Sequence, residues 1–207
     1  MTRPLLDRVA KRALDVVGSA CGLLVLSPLL VAMAVWVRLD SAGPSLFRQE
    51  RVGRGGALFR IHKFRTMRFA DSGEGEPDLT VGGDARITRA GALLRRIKLD
   101  ELPQLIDVLL GDMSLVGPRP ELPRYVATYP DHVRAMVLSV RPGITDVASL
   151  TFSDESDVLA RAADPEREYR EVVLPAKLRL STQYLQQATV ASDLRLIGRT
   201  LKTMFVA

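Results

Sequence analysis

From Val16 to Val37 the chain runs for 22 residues without a charged side chain, VVGSACGLLVLSPLLVAMAVWV, and no other feature constrains its fold as strongly. At about 1.5 Å per residue a helix of that length reaches roughly 33 Å, enough to cross a hydrocarbon core of about 30 Å. Pro28, near the middle, cannot donate to the Leu24 carbonyl and its ring crowds that turn, so a sharp bend is expected there. The Ser27 hydroxyl beside it can bond a freed carbonyl. Both flanks are basic, with Arg3, Arg8, Lys11 and Arg12 before the run and Arg38, Arg48, Arg51 and Arg54 after it. Basic flanks favour the cytoplasmic side, so the expectation is a re-entrant hairpin helix, broken at Ser27 and Pro28, with both ends on that face. A cleavable signal peptide fits poorly, because the run is long, has a central proline and lacks a small-x-small site before the polar region. A single-pass anchor stays open, since membrane helices tolerate proline. A buried core helix is the weaker reading of so long an uncharged run.

The remainder of the 207 residues is rich in charge, 29 Lys and Arg against 24 Asp and Glu over the whole chain, a formal net charge of +5. That balance puts nucleic acid, anionic lipid and phosphorylated small molecules forward as partners without choosing among them. One cysteine, Cys21, rules out a disulfide framework or a cysteine-built zinc site, and His62 and His132 are the only histidines. Acid–base or nucleophilic work therefore falls on carboxylates.

Past the apolar run, SLFRQERV and ALFRIHKFRTM flank the turn Gly53-Arg54-Gly55-Gly56 and read as a β-hairpin. The stretch from Asp71 to Asp78 has no apolar residue beyond its proline and reads as a loop. Thr88 is placed to cap a helix carrying Leu93, Leu94 and Ile97, and a second helix is expected from about Glu101 to Leu110 with Leu102, Leu105, Ile106 and Leu109 inward, ending at Gly111. A Gly- and Pro-rich loop, GDMSLVGPRPELP, follows, then a helix near Asp131 to Ser139, a turn at Arg141-Pro142-Gly143, and charged helical segments. From Asp193 on, Leu194, Ile197, Leu201 and Phe205 share one helix face; packing on the core is preferred to lying on an anionic membrane surface. The fold class expected is α+β, mainly helical with a small β-hairpin, divided into a membrane helix at 1–39 and a cytosolic domain at 40–207.

The most informative carboxylates are Asp100 and Glu101 in RRIKLDELPQL, where Pro103 marks a helix start. Asp100 then falls at or near the N-cap, where unpaired N–H groups and the helix dipole favour its charge and also hold phosphate. A carboxylate there can attack phosphorus, as in aspartyl-phosphate chemistry; the competing account is simple helix capping. Lys63, Arg65, Arg86, Arg95, Arg96 and Arg119 lie near turns or element ends and are candidate phosphate ligands, each alone readable as a solvated charge. Pro118 and Pro120 present Arg119 rigidly.

Taken in order, KRALDVVGS at Lys11 to Ser19, Ser27-Pro28, KFRTM at Lys63 to Met67, DARITRAGALLRR at Asp84 to Arg96, LDELPQL at Leu99 to Leu105, GDMSLVGPRP at Gly111 to Pro120 and RPGIT at Arg141 to Thr145 carry a resemblance. Over nearly its whole length the chain resembles the bacterial sugar transferase family, small monotopic phosphoglycosyl transferases. The resemblance implies transfer of a sugar phosphate from a UDP-sugar to polyprenyl (undecaprenyl) phosphate, starting a glycoconjugate such as exopolysaccharide or O-antigen. It implies Asp100 as nucleophile, expelling UMP to form a phosphosugar-aspartyl intermediate, and Glu101 as its partner, with Mg2+ at the pair. It further implies Arg95 in holding phosphate, Pro118-Arg119-Pro120 in binding nucleotide, and Ser27-Pro28 as the break in a membrane helix. The implied setting is the cytoplasmic face of the bacterial inner membrane, with membrane lipid as a partner, no nucleic acid, and a homodimer left open. After RPGIT many relatives read Gly-x-Ala-Gln where this chain has Asp146-Val147-Ala148-Ser149, so no role is carried over there. The multi-span bundle of larger members is not seen, which reads as a minimal catalytic form. The competing reading from another class is a membrane-anchored basic module that binds anionic lipid or nucleic acid without turnover; 5% aromatic content and no nucleic-acid motif weigh against it.

Overall fold

A computed structural model describes residues 4–68 and 79–206, with side chains as far as residue 203. The expected loop at Asp71 to Asp78 and the flanking Arg3 lie outside the described residues. The apolar run forms the centre of one 36-residue helix, α1 (Leu5–Asp40). Helical conformation continues through Ser27 and Pro28, so the proline interrupts the hydrogen-bond ladder and not the element: Ser27 Oγ donates to the Leu24 carbonyl at 2.8 Å, the acceptor that Pro28 cannot serve. The middle of α1 is bare, with Leu24 77% and Val25 74% exposed, the signature of a helix whose solvent is lipid.

Both halves of α1 dock on the same body. In the first half Gly18 and Gly22 admit Leu115 and Leu105, whose methyl carbons would lie 2.9 Å and 3.2 Å from an added Cβ. In the second half Met33 and Val37 are buried with Phe64, Ala90 and Leu94. The glycine-flanked turn expected after the run is present. Strands β1 (Leu46–Phe47), β2 (Glu50–Val52), β3 (Leu58–Arg60) and β4 (Lys63–Phe64) form one antiparallel hairpin in two pieces, β1 with β4 and β2 with β3. Their registers lie on one line, which sets Arg48 opposite His62. Gly55 and Gly56 take φ of +70° and +84° in the turn, conformations that cost other residues about 1 kcal/mol or more.

Helix α2 (Arg89–Arg96) starts where expected, with Thr88 Oγ1 accepting from Gly91 N–H at 3.0 Å. A 3-10 turn at Leu99–Glu101 and the helix α3 (Gln104–Leu110) follow. The expected helix start is therefore corrected: Asp100 sits in the 3-10 turn, one turn ahead of α3, and is not its N-cap. Lys98, left-handed at φ +55°, reverses the chain just before it. The inward face of α3 is also rotated from the expected one. Leu105 and Val108 are buried, Leu102, Ile106 and Leu109 are half-buried, and Leu110 is exposed. A helix apolar on nearly every side gives periodicity no means of choosing its face.

The expected Gly- and Pro-rich loop contains a strand, β5 (Ser114–Val116), which pairs in parallel with β6 (Gly143–Thr145), Ser114 against Gly143 and Val116 against Thr145. The crossover between them holds α4 (Pro123–Val126) and α5 (Asp131–Val137). Short helices α6 (Val147–Thr151), α7 (Glu155–Ala160) and α8 (Pro165–Glu168) lead through a π-helical turn at Tyr169–Val173 into α9 (Leu174–Gln187) and then α10 (Val190–Val206). The largest core, with Tyr125, Leu159, Tyr169 and Val173, lies beneath these helices. Helix α10 packs through Asp193 and Leu196, while Leu194 and Leu201 of the expected apolar strip are about half exposed. The mainly helical α+β architecture stands.

Candidate active site

Three segments meet around Asp100 and Glu101: the end of the β-hairpin, which brings Lys63; the turn that carries the two carboxylates; and the Gly117–Pro120 loop, which brings Arg119. Asp100 is 3% exposed. Its Oδ2 forms an ion pair with Lys63 Nζ at 2.9 Å, and Oδ1 has no hydrogen bond among the described residues. Lys63 also lies 3.4 Å from Glu101 Oε1, and Arg119 holds Glu101 with both arms of its fork, Nη1 on Oε2 at 3.0 Å and Nη2 on Oε1. Burial opposes charge on Glu101, but Arg119 and Lys63 outweigh it, with Arg119's hydrogen bond and Lys98 adding to them, and hold its carboxyl well below the usual range. In turn Glu101, against the effect of burial, makes the Arg119 guanidinium bind its proton more tightly than usual.

Arg119 is aimed by a junction that only glycine allows. A Cβ on Gly117 would lie 2.5 Å from the Arg141 carbonyl oxygen, and one on Gly143 would lie 2.0 Å from Gly117 N. The two glycines pass backbone to backbone, with Gly143 N–H donating to Pro118 O at 2.9 Å and Gly117 N–H to Thr145 O at 3.1 Å. Pro120 O accepts from Arg51 at 3.2 Å. Asp146, noted from sequence only as a departure from relatives, caps α6 at Ser149 N–H (2.6 Å), accepts from Ser181 Oγ (3.0 Å) and reaches the Arg119 N–H (3.3 Å). Behind the loop Glu121 accepts from Tyr169 OH at 2.6 Å, and Lys177 sits 2.9 Å from Glu155 and 3.5 Å from Glu121. Burial first, then Glu121, pushes the Tyr169 phenol far up. Lys98, Glu121, Asp146, Tyr169 and Lys177 were not found by sequence reasoning. Lys98 carried a signal, a cation directly before the LDE turn, and Glu121 directly follows Pro120; Asp146 comes from the end of β6, and Tyr169 and Lys177 from distant helices.

Two other candidate cations, Arg65 and Arg86, are spent on partners other than the carboxylate pair. Arg65 is buried and its guanidinium is spent on the C-terminal end of α1, donating to the carbonyls of Val37 (3.3 Å), Ser41 (2.8 Å), Ala42 and Gly43 (3.4 Å). It satisfies helix-end oxygens where phosphate binding was expected. Arg86 forks onto Asp84 at 2.6 to 3.2 Å, and with burial opposing, that pairing, helped by Arg95, lowers the Asp84 pKa. Arg96 is exposed at the end of α2.

Two hard carboxylates with exchangeable cationic partners suit a divalent ion that is shared with a phosphorylated substrate. Among the described residues no group of three or more His, Cys, Asp or Glu side chains forms a closed protein cage for a metal. Mg2+ typically binds through one or two carboxylates plus substrate phosphates, so the donor set fits it in that form.

A family model described as bacterial sugar transferase matches residues 6–207. The UDP-glucose:undecaprenyl-phosphate glucose-1-phosphate transferase of Caulobacter vibrioides is 39% identical, over 96% of this chain and 72% of its own length. The UDP-N-acetylgalactosamine-undecaprenyl-phosphate N-acetylgalactosaminephosphotransferase of Aeromonas hydrophila is 34% identical, over 94% of this chain and 43% of its own. The UDP-glucose:undecaprenyl-phosphate glucose-1-phosphate transferase of Escherichia coli is also 34% identical, over 97% of this chain and 41% of its own. The chain thus spans less than half the length of the latter two curated relatives. A match from one end of the chain to the other, through the segments that assemble the carboxylate pair and its cations, makes this protein a member of the bacterial sugar transferase family.

Proposed function

We propose that this chain transfers a sugar-1-phosphate from a UDP-sugar to polyprenyl (undecaprenyl) phosphate at the cytoplasmic face of the bacterial inner membrane, as the first membrane step of glycoconjugate synthesis. The observation that carries the reading is Asp100, ion-paired through one oxygen with Lys63 and with no hydrogen-bond donor on the other among the described residues, beside a second carboxylate whose partners are cations. In the first step an Asp100 oxygen attacks the phosphorus that bears the sugar. The bond from that phosphorus to the UMP oxygen breaks, UMP leaves with the electron pair, and a phosphosugar-aspartyl ester remains. In the second step the polyprenyl phosphate oxygen attacks the same phosphorus, the bond to Asp100 breaks, and the carboxylate returns.

Lys63 and Arg119 are the groups placed to take up diphosphate oxygens as charge builds on the leaving UMP, the role of fixed cations in phosphoryl transfer. Asp100 and Glu101 would hold Mg2+, which neutralises the diphosphate when bound. The membrane side of the reaction falls to α1. Its bare apolar middle and its two docked halves support a re-entrant arrangement, because a spanning helix has to send its ends to opposite faces while both ends of α1 pack on one body. With Cys21 removed, single cysteines near residues 5 and 42 are expected to label from the same side of sealed vesicles; labelling from opposite sides establishes a spanning helix.

The reaction is tested by UMP release across a panel of UDP-sugars with Mg2+ and undecaprenyl phosphate, together with intact-mass detection of the phosphosugar adduct. Turnover and an adduct are expected from the natural chain, and neither from Asp100→Asn. Full UMP release by folded Asp100→Asn protein would overturn the nucleophile.

A further inference from the structure

Away from the carboxylate pair and its cations, a second aspartate ties the β-hairpin to α3. Asp107 is buried in α3, two turns after Asp100, and both of its oxygens are committed to one residue. His62 N–H donates to Oδ2 at 2.8 Å, and the His62 ring places Nδ1 2.5 Å from Oδ1. The other ring nitrogen, Nε2, lies 2.6 Å from Arg48 Nη1. Arginine can only donate, so Nε2 accepts, and the proton on the ring sits on Nδ1, facing Asp107. The strand register explains why this carboxylate is needed. Gln49 and Ile61 form a hydrogen-bonded pair, with Ile61 N–H on Gln49 O at 3.1 Å, so in the alternation of an antiparallel ladder the facing pair Arg48 and His62 turn their N–H groups outward. The His62 N–H therefore needs an acceptor from outside the hairpin, and Asp107 is that acceptor.

A closed circuit results: Asp100 and Glu101, then α3 to Asp107, across to His62, one residue on to Lys63, and from Lys63 Nζ back to Asp100 and Glu101. We infer that the Arg48–His62–Asp107 contact is a positioning device for Lys63, fixing the strand end that carries it against the helix that follows the two carboxylates. Asp107 and His62 touch no reacting atom in this role, and they act only through Lys63. The inference rests on the reaction proposed above, in which the Lys63 ammonium has to meet both Asp100 and the incoming diphosphate.

The test measures UMP release, as kcat and KM for the UDP-sugar, together with thermal stability, for Asp107→Ala, Asp107→Asn, Lys63→Ala and the double variant Lys63→Ala/Asp107→Ala. Displacing a group by about 1 Å can cost up to about 100-fold, so Asp107→Ala is expected to lower kcat about 30-fold. Asp107→Asn, which keeps an acceptor for the His62 N–H but turns an amide donor toward the Nδ1–H, is expected to recover part of that loss. In the double variant the Asp107 change should cost no more than about 2-fold beyond Lys63→Ala alone, because a device that acts through Lys63 has nothing left to position. Losses that multiply in the double variant, or an Asp107→Asn protein as slow as Asp107→Ala, would overturn the inference. If the natural chain releases no UMP from any UDP-sugar, the proposed reaction falls and takes this role with it. Turnover by the natural chain with multiplying losses removes the positioning role alone.

Discussion

The turn around Asp100 and the junction that seats the first half of α1 are built from the same parts, buried aspartates beside a lysine, and differ in which donors hold the carboxylates. At the junction Asp15 Oδ1 accepts from Lys11 Nζ (2.7 Å), Ser114 Oγ (3.0 Å) and the Leu115 N–H (3.0 Å). Asp193 nearby accepts from Tyr184 OH at 2.5 Å and stands 3.6 Å from Lys11. A backbone N–H and hydroxyls packed in a core cannot leave. Around Asp100 and Glu101 the close donors are side-chain cations, Lys63 and Arg119, on long flexible stems. Such donors can move from a carboxylate to a phosphate. The contrast separates a carboxylate that fastens elements together from one that is kept ready for chemistry, although burial and charge are alike in both.

Exchanging the two aspartates' roles is the strongest way to break that contrast. Asp100→Asn should lower UMP release by at least about 1,000-fold while the melting temperature stays that of the natural chain. Asp15→Ala should do the reverse, destabilising the chain by about 3 kcal/mol in urea titration of the detergent-solubilised protein, since it leaves the half-buried Lys11 charge without its main partner. If Asp100→Asn lost more stability than Asp15→Ala, the distinction would not hold. Gly117→Ala tests how far the Arg119 side of the site depends on a fixed backbone. Its Cβ would press on Arg141 O, so a loss of about 1–3 kcal/mol is expected, with a raised KM for the UDP-sugar as Arg119 shifts.

Smaller effects sharpen the boundary. Thr88→Ala removes the α2 cap and should cost about 1 kcal/mol with kcat unchanged, because the cap lies in the scaffold. The Glu101–Arg119 pair should show the least pH dependence. Its carboxyl is held below the unfolded value by Arg119 and Lys63 against burial, so its stabilisation is complete above the ordinary carboxylate range and is lost only as pH falls through the depressed folded value. The stability gap between the natural chain and Glu101→Gln is therefore expected to stay constant from about pH 8 to about pH 5 and to close in stronger acid, followed by circular dichroism. A gap that closes near neutral pH would show that the cations do not hold the pair.

Much of the local structure was legible because its causes are local. Two glycines in a row with extended apolar flanks define a hairpin, Thr88 three residues before Gly91 defines a cap, and Ser27 beside Pro28 supplies the hydroxyl that serves the stranded Leu24 carbonyl. The identities of Asp100, Glu101, Lys63 and Arg119 were legible as well, but not their distances. Arg65 shows why. In sequence it is one more arginine two residues from Lys63, and its use as a cap for the end of α1 depends on a chain reversal that no local pattern records. The parallel pairing of β5 with β6 was hidden for the same reason, since a three-residue strand gains its partner across a crossover of two helices. Asp107 was read through the apolar residues around it, yet its carboxylate faces the hairpin.

What the sequence by itself determined is the kind of surface this chain must solve for: an uncharged run too long to bury in so small a body, and a pair of carboxylates with basic residues spread on either side of them. Hydrophobicity and charge are properties of residues, so they survive without coordinates. The tertiary structure decided which charges meet. It spent Arg65 on a helix end, brought Lys63 and Arg119 to the two carboxylates from segments before and after them, and set Asp107 against His62, because pairing over a few ångströms depends on where the chain turns back, and that is settled only when the elements pack.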